Sequence, residues 1–179
     1  MGSVRRQKEL RRERRKQRDE AKRAKPPKPR KCGECTSCCT ALLVPEVPTL
    51  AGEHCEHECA TGCSIYEERP EMCRSEFKCS WLEGWGNLSD RPDRIGWFAS
   101  IALNPKFNEA AGGVSAIGAV LMVRVLREGA LQDTRFDEAL REWMVLQIAI
   151  LVQERIGTDD ERLTLYGPKI PKGVMVARR

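Results

Sequence analysis

The sequence predicts an α+β fold: a cysteine-rich loop region joined to a short sheet and one long C-terminal helix. Three observations support this prediction. All nine cysteines of the 179-residue chain fall between residues 32 and 79, and the hundred residues that follow contain none. Short apolar runs separated by turn residues then predict strands, and one longer run has helical spacing. The length suits one domain with a tail, because the 41% apolar content is near the globular norm.

Charge divides the chain near residue 31. Residues 1–31 carry 15 Lys/Arg against 4 Asp/Glu, whereas residues 32–179 carry 16 against 22. Residues 4–24 favour a helix but almost lack an apolar face, so we expect an arm that is disordered in isolation. Residues 25–30 (KPPKPR) make an extended spacer. The predicted domains are therefore a basic arm, residues 1–31, and a cysteine-rich body, residues 32–179.

Prolines predict loops in the first part of the body. Residues 40–54 begin with an apolar run that Pro45 and Pro48 interrupt, which predicts a short strand or a turn followed by a loop. Within residues 62–79, Pro70 is suited to begin a short helical turn.

Aromatic and β-branched residues predict the next elements. Trp81, Trp85 and Trp97 are expected to roof a small core beside the cysteines. Residues 95–103 follow the turn-like run SDRPD and are compact and apolar, which predicts a strand. Residues 114–126 are long enough for a helix, but their β-branched content favours a strand.

Residues 134–156 give the strongest helix prediction. Thr134 and Asp137 resemble a capping box, and Gly157 stands where a helix would stop. The residues with helical spacing are Phe136, Leu140, Trp143, Met144 and Ile148. Residues 162–166 (RLTLY) then predict a short final strand.

The cysteine spacing predicts a metal site. Four thiols, Cys32, Cys35, Cys38 and Cys39, lie within eight residues, and two-residue spacing lets successive thiolates reach one metal ion. The remaining predicted ligands are Cys55, Cys59, Cys63, Cys73 and Cys79. Nine thiols suffice for two four-coordinate sites or for one site with spare cysteines. Thiolates suit zinc, iron–sulfur clusters and Cu(I). We therefore expect a metal-nucleated loop region whose cofactor is zinc or iron, with an Fe–S cluster as one form.

The expected compartment also favours metal binding over disulfides. No secretory signal, transit peptide or membrane-spanning run is apparent, so we expect a cytoplasmic protein whose thiols stay reduced. An odd number of cysteines also fits a disulfide framework badly.

His54 and His57 are expected to be loop or supporting residues, with His57 the better candidate ligand because it lies between Cys55 and Cys59.

Two segments resemble a known family. Residues 32–39 (CGECTSCC) match the C-x2-C-x2-CC signature of the YkgJ-like cysteine cluster proteins, a family described as chelating zinc or iron. Residues 62–74 (GCSIYEERPEMCR) resemble its second signature, and the likeness extends over residues 32 to 100. The resemblance implies a bacterial-type cytoplasmic metal-binding domain. It assigns the motif cysteines to Cys32, Cys35, Cys38, Cys39, Cys63 and Cys73. Cys55 and Cys79 match more variable positions, and Cys59 lies outside the pattern.

Two arginines of the second signature are candidates to support a metal site. Arg69, before Pro70, and Arg74, directly after Cys73, could each place a guanidinium that stabilises a negatively charged thiolate site. Arg74 is the stronger of the two candidates. It is equally placed for a surface salt bridge with Glu67, Glu68 or Glu71.

No catalytic residue is predicted. The chain lacks a dinucleotide fingerprint, a P-loop, an HExxH motif and a nucleophile elbow, and residues 159–161 read as a solvated acidic loop. The leading prediction is a metal-binding protein without assigned activity. The alternatives are an iron or Fe–S protein with redox or catalytic function, and a module that binds nucleic-acid phosphates weakly through residues 1–31.

Overall fold

The computed structural model describes residues 30–178, so the predicted arm and spacer lie outside the described residues except for Arg30 and Lys31. Within that range the chain is α+β, as predicted, with short helices and a five-stranded mixed sheet. The strands are β1 (Glu58–Cys59), β2 (Gly62–Cys63), β3 (Trp97–Leu103), β4 (Ala119–Val125), β5 (Ile150–Glu154), β6 (Arg162–Gly167) and β7 (Ile170–Arg178). The helices are α1 (Ser37–Ala41), α2 (Pro92–Ile95), α3 (Pro105–Ala111) and α4 (Thr134–Val145).

The main sheet consists of β3 to β7, and its strand order follows the chain order. β4 and β5 run parallel, while every other neighbouring pair in this sheet is antiparallel. A parallel pair needs a crossover, and α4 supplies it by covering one face of the sheet. β1 and β2 form a separate hairpin inside the cysteine-rich region.

The single long helix predicted for residues 134–156 is wrong in its second half. The helix ends at Val145, and the apolar run that follows becomes β5, the central strand of the sheet. Gln147 lies in the connecting turn with a φ of 56°, a left-handed conformation that interrupts a helix. Both faces of β5 are covered, so a uniformly apolar run is what the strand requires.

The ends of the predicted helix also differ. Asp133, not a Thr134–Asp137 capping box, caps α4, because its carboxylate accepts a hydrogen bond from the backbone N–H of Arg135 at 2.9 Å. Gly157 lies in the turn between β5 and β6 rather than at a helix end.

The other predicted strands are confirmed with shifted ends. The runs at 95–103, 114–126 and 162–166 correspond to β3, β4 and β6. The third is not the final strand, because β7 pairs with it. Residues 40–54 hold the end of α1 and turns, and a five-residue π turn, Met72–Glu76, follows Pro70.

Two of the three tryptophans belong to the sheet–helix core rather than to a roof over the cysteines. Trp97 is fully buried, and its ring lies 5.9 Å from that of Trp143 on α4 and 5.4 Å from that of Trp85. Trp81 packs beside Cys79, as part of the cluster that joins the cysteine-rich region to the sheet. The prediction of an aromatic roof is therefore wrong for Trp85 and Trp97.

The cysteine-rich region packs on the sheet face opposite α4. Phe98 points to that face, and its ring makes an edge contact with Phe77 at 5.8 Å between centroids. α3 covers the rest of the face around Val120 and Leu151. The cysteine-rich region and α3 therefore share the sheet face opposite α4.

Arg30 ties the beginning of the described chain to the loop that carries Trp81 and Trp85. Its guanidinium donates to the carbonyls of Trp81 and Trp85 at 2.9 and 2.6 Å. It also donates to those of Gly84 and Gly86 at 3.1 and 2.7 Å. Its Cζ lies 5.0 Å from the centre of the Trp81 ring, at cation–π distance.

Candidate metal centre

The first signature forms a tight turn that runs into α1. The backbone N–H of Cys35 donates to the carbonyl of Cys32 at 3.0 Å, and that of Cys39 donates to Thr36 at 2.8 Å. α1 begins at Ser37, so Cys38 and Cys39 lie on its first turn. Four thiols are thereby confined to one short stretch of backbone.

A glycine lets the second signature approach the first. Gly62 opens β2 with a φ of 119°, and a Cβ at this position would collide with the carbonyl oxygen of Gly33. Only glycine permits both that conformation and that approach. The hairpin β1–β2 therefore lies against the turn at Cys32–Cys35 and brings Cys63 to it.

One cavity of about 50 Å³ gathers most of the thiols. The cysteines that line it are Cys32, Cys35, Cys38, Cys39, Cys55, Cys63 and Cys73. These seven include all six cysteines that the family resemblance assigns. His57 also lines the cavity, with its Nε2 3.7 Å from a carboxylate oxygen of Glu56.

The remaining cysteine and histidine candidates lie elsewhere. Cys59 is solvent-exposed on β1, where a hydrogen bond with Thr61 lowers the pKa of its thiol. His54 is exposed, and its Nδ1 lies 2.7 Å from Glu58. Cys79 is buried under the cluster, close enough for Cys32 to affect its titration. Cys59 is thus separated from the other cysteines, while Cys79 adjoins them.

Several cysteines at the cavity have a raised thiol pKa. Burial raises the pKa of Cys73 to about 11, with neighbouring thiols adding to the shift, and burial also raises that of Cys79 to about 11. The hydrogen bond with Cys39, followed by burial, raises the pKa of Cys38 well above its usual value. A charge placed on one of these sulfurs would be disfavoured by the others unless a cation compensated it.

Arg69 supplies the nearest positive charge. It lines the cavity, its Nε donates to the carbonyl of Tyr66 at 2.7 Å, and its Cζ lies 3.7 Å from the centre of the Tyr66 ring. Burial raises the pKa of Cys32, and the Arg69 charge partly offsets this rise. The stacking and the hydrogen bond hold the guanidinium beside the thiols. No ion pair within residues 30–178 joins Arg69 to a carboxylate.

Arg74 takes the second of its two predicted roles. Its guanidinium donates to Glu71 at 2.6 Å in an exposed pair on the protein surface. The sequence pointed to Arg69, in the Arg-Pro dipeptide of the second signature, as well as to Arg74, but it did not decide between them. Which arginine faces the thiols depends on the turn before Pro70, and sequence spacing does not specify that turn.

Arg91 adds a second guanidinium near the first signature. Its side chain is only 16% exposed, and it pairs with Asp93 at 2.7 Å and with Glu34 at 3.6 Å. The hydrogen bond to Asp93 raises the pKa of Arg91, and the Cys35 thiol contributes to the shift. The contact between Arg91 and Glu34 links the start of α2 to the turn that carries Cys32 and Cys35.

The thiols are gathered but not arranged around one point. All nine are free within residues 30–178. In the same described range, no three or more His, Cys, Asp or Glu side chains stand in a group that could hold a metal ion as they are oriented. The cavity therefore offers a suitable donor set, and side-chain rotation would be needed to bring several sulfurs onto one ion.

Comparisons with known proteins give no match to a family model, a curated protein or a solved structure. The likeness to the YkgJ-like family thus remains a prediction carried by the two signatures. Of the helices in residues 30–178, none combines the length and the apolar content that a bilayer crossing demands.

Proposed function

We propose that the protein binds a zinc or iron ion through the cysteines of the thiol-lined cavity. One observation carries the proposal: seven thiols from segments up to 41 residues apart in sequence line the same cavity of about 50 Å³. Ordinary core packing uses cysteine singly, as a small apolar residue. Seven thiols around one cavity are better explained by metal ligation.

The donor set fits zinc or iron in chemistry and in size. Both metals accept thiolate ligands, and four are enough to saturate a tetrahedral site. A cavity needs about 10–15 Å³ to hold a water molecule, so a cavity of about 50 Å³ has room for an ion. Cys32, Cys35, Cys38 and Cys73 are the ligands we favour. All four line the cavity, the Cys35 and Cys38 thiols contribute to the raised pKa of Cys32, and the Cys38 thiol contributes to that of Cys73.

Metal binding would explain the position of Arg69. A divalent ion with four thiolates carries a net charge near −2, which a buried site tolerates only with compensating donors. Arg69 lies beside Cys32, Cys38 and Cys73 and is held by Tyr66. In the absence of a metal the same guanidinium would face neutral thiols.

Anaerobic purification followed by elemental analysis tests the proposal. We expect about one equivalent of zinc or iron per chain. Colourless protein would indicate zinc, and visible charge-transfer absorbance would indicate iron or an Fe–S cluster. Cys38→Ser and Cys73→Ser should each lose most of the metal. Cys59→Ser is the matched control, since its thiol is exposed outside the cavity, and it should retain the metal. Equal metal content in all three variants, or metal-free protein grown with both metals supplied, would refute the proposal.

A further inference from the structure

A second cavity lies at the end of the sheet where the parallel strands β4 and β5 both finish. Its volume is about 350 Å³, and it shares no lining residue with the thiol-lined cavity. The ends of β4 and β5, the segment that follows β4 and the start of β6 form its walls. Ligands of open α/β sheets bind in crevices outside the carboxyl ends of parallel strands.

Three guanidinium groups line this cavity, from Arg127, Arg155 and Arg162. The acidic residues that also line it are Glu128 and Glu154. Glu128 is 95% exposed and lies 3.9 Å from Arg155, so it neutralises that arginine only weakly. Asp160 also pairs with Arg155, so the positive charge that no carboxylate balances at ion-pair distance within residues 30–178 comes from Arg127 and Arg162.

One of the arginines that line this cavity has an unpartnered hydrogen-bond donor. The Nε of Arg162 is buried and has no hydrogen-bond partner within residues 30–178. Glu154 lies opposite Arg162 in the strand register, yet no ion pair joins them in this part of the chain. A buried N–H without an acceptor is costly, and an anion in the cavity could satisfy it once the Arg162 side chain turned its Nε toward the cavity.

Arg155 is held in place by its own backbone. Its φ of 53° lies in the left-handed region, which residues other than glycine seldom adopt. The carbonyl of Arg155 accepts hydrogen bonds from the backbone N–H and the hydroxyl of Thr158 at 3.2 and 2.8 Å. Asp160 pairs with its guanidinium at 2.9 Å. A strained residue fixed by several contacts is typical of a binding position.

We propose that this cavity binds a small phosphate-bearing molecule. Guanidinium forks match the oxygens of phosphate in bidentate geometry, and phosphate carries enough charge to engage more than one arginine. The volume is at the lower end of the range for small-ligand sites. The inference is independent of the metal, because no residue of the thiol-lined cavity takes part.

Calorimetric titration of the full-length, reduced protein with pyrophosphate tests the site, at an ionic strength held constant with chloride. Arg127→Gln and Arg155→Gln should each weaken binding about tenfold or more, because each removes a charge-assisted donor at an exposed position. Arg141→Gln, on the exposed face of α4, is the matched control and should leave the affinity within about twofold. The basic arm is present in every variant, so its own attraction for phosphate cancels in the comparison.

Two further measurements test the charge and the geometry of the site. Glu128→Gln removes a competing carboxylate and should bind pyrophosphate more tightly than the unaltered protein. Malonate, a dianion without phosphate geometry, should bind at least tenfold more weakly. The proposal is overturned if Arg127→Gln and Arg155→Gln bind like Arg141→Gln, if Glu128→Gln weakens binding, or if malonate binds as tightly as pyrophosphate.

Discussion

Zinc binding should release about four protons at neutral pH. The perturbation is the addition of Zn²⁺ to metal-free, reduced protein. Burial holds the pKa of Cys73 at about 11 and raises that of Cys32, and a hydrogen bond with Cys39 raises that of Cys38, so these thiols are protonated at pH 7. Each thiol that becomes a ligand must lose its proton. A tetrahedral thiolate site therefore displaces about four.

The magnitude follows from the proton count. One proton released per ligand changes the apparent affinity about tenfold per pH unit, or about 1.36 kcal/mol. Four ligands give about 10⁴-fold per pH unit, equivalent to about 5.4 kcal/mol. Because the pKa of Cys38 is raised well above its usual value, the slope should persist at least to pH 8 without flattening.

Proton release is measured directly with an indicator dye in weak buffer, and the slope by competition with a chelator between pH 6 and 8. With enough zinc added to saturate its weakened site, Cys38→Ser should release about one proton fewer, because one thiol ligand is gone. Cys59→Ser should match the unaltered protein, because its thiol lies outside the cavity. Release of fewer than two protons, or an affinity that does not change with pH, would refute thiolate ligation.

Three further outcomes are expected. Chelation should remove hydrogen-exchange protection from residues 32–96 before it affects the main sheet, because metal ligation contributes folding energy to a region with few buried apolar side chains. Trp143→Ala should lower the free energy of unfolding by about 3–5 kcal/mol in urea denaturation, since its ring fills the core between α4 and the sheet. Burial, followed by two nearby carboxylates, raises the pKa of Tyr166 above 10.0, so its neutral form contributes stability that is lost as pH rises through the folded pKa.

Each of these has a control. Equal loss of protection in β3–β6 would contradict the separation of the two regions. Leu146→Ala, exposed by 57%, should change stability by less than about 0.5 kcal/mol. Tyr166 is followed by phenolate absorbance in a Tyr66→Phe background, and ionisation at or below pH 10 would show that the ring is not buried as described.

Local chemistry predicted much of the sheet but not its centre. The runs that became β3, β4 and β6 combine β-branched residues with turn signals, and these determine strand formation locally. β5 is apolar on both faces because α4 covers one face and α3 the other, and such a run has no period that separates strand from helix. The missed helix α3 did carry local signals: Asn104 as cap, Pro105 at the first position and Gly112 at the end.

The candidate site was likewise predictable from the sequence only in part. Cysteine spacing and the family resemblance together indicated that the signatures at 32–39 and 62–74 would come together, and their cysteines line one cavity. Spacing did not separate Cys59 from the other thiols, because the direction of a side chain on the β1–β2 hairpin depends on register. The role of Arg69 likewise depends on a tertiary contact, the stacking on Tyr66, which sequence does not specify.

The anchoring of Arg30 has a practical consequence for shortening the chain. A truncated protein that started at Cys32 would leave the carbonyls of the loop from Trp81 to Gly86 without the donor that gathers them. That loop carries Trp85 into the core and Trp81 against Cys79. A deletion of the basic segment intended to test its role should therefore stop before Arg30, so that loss of nucleic-acid binding is not confused with loosening of the body.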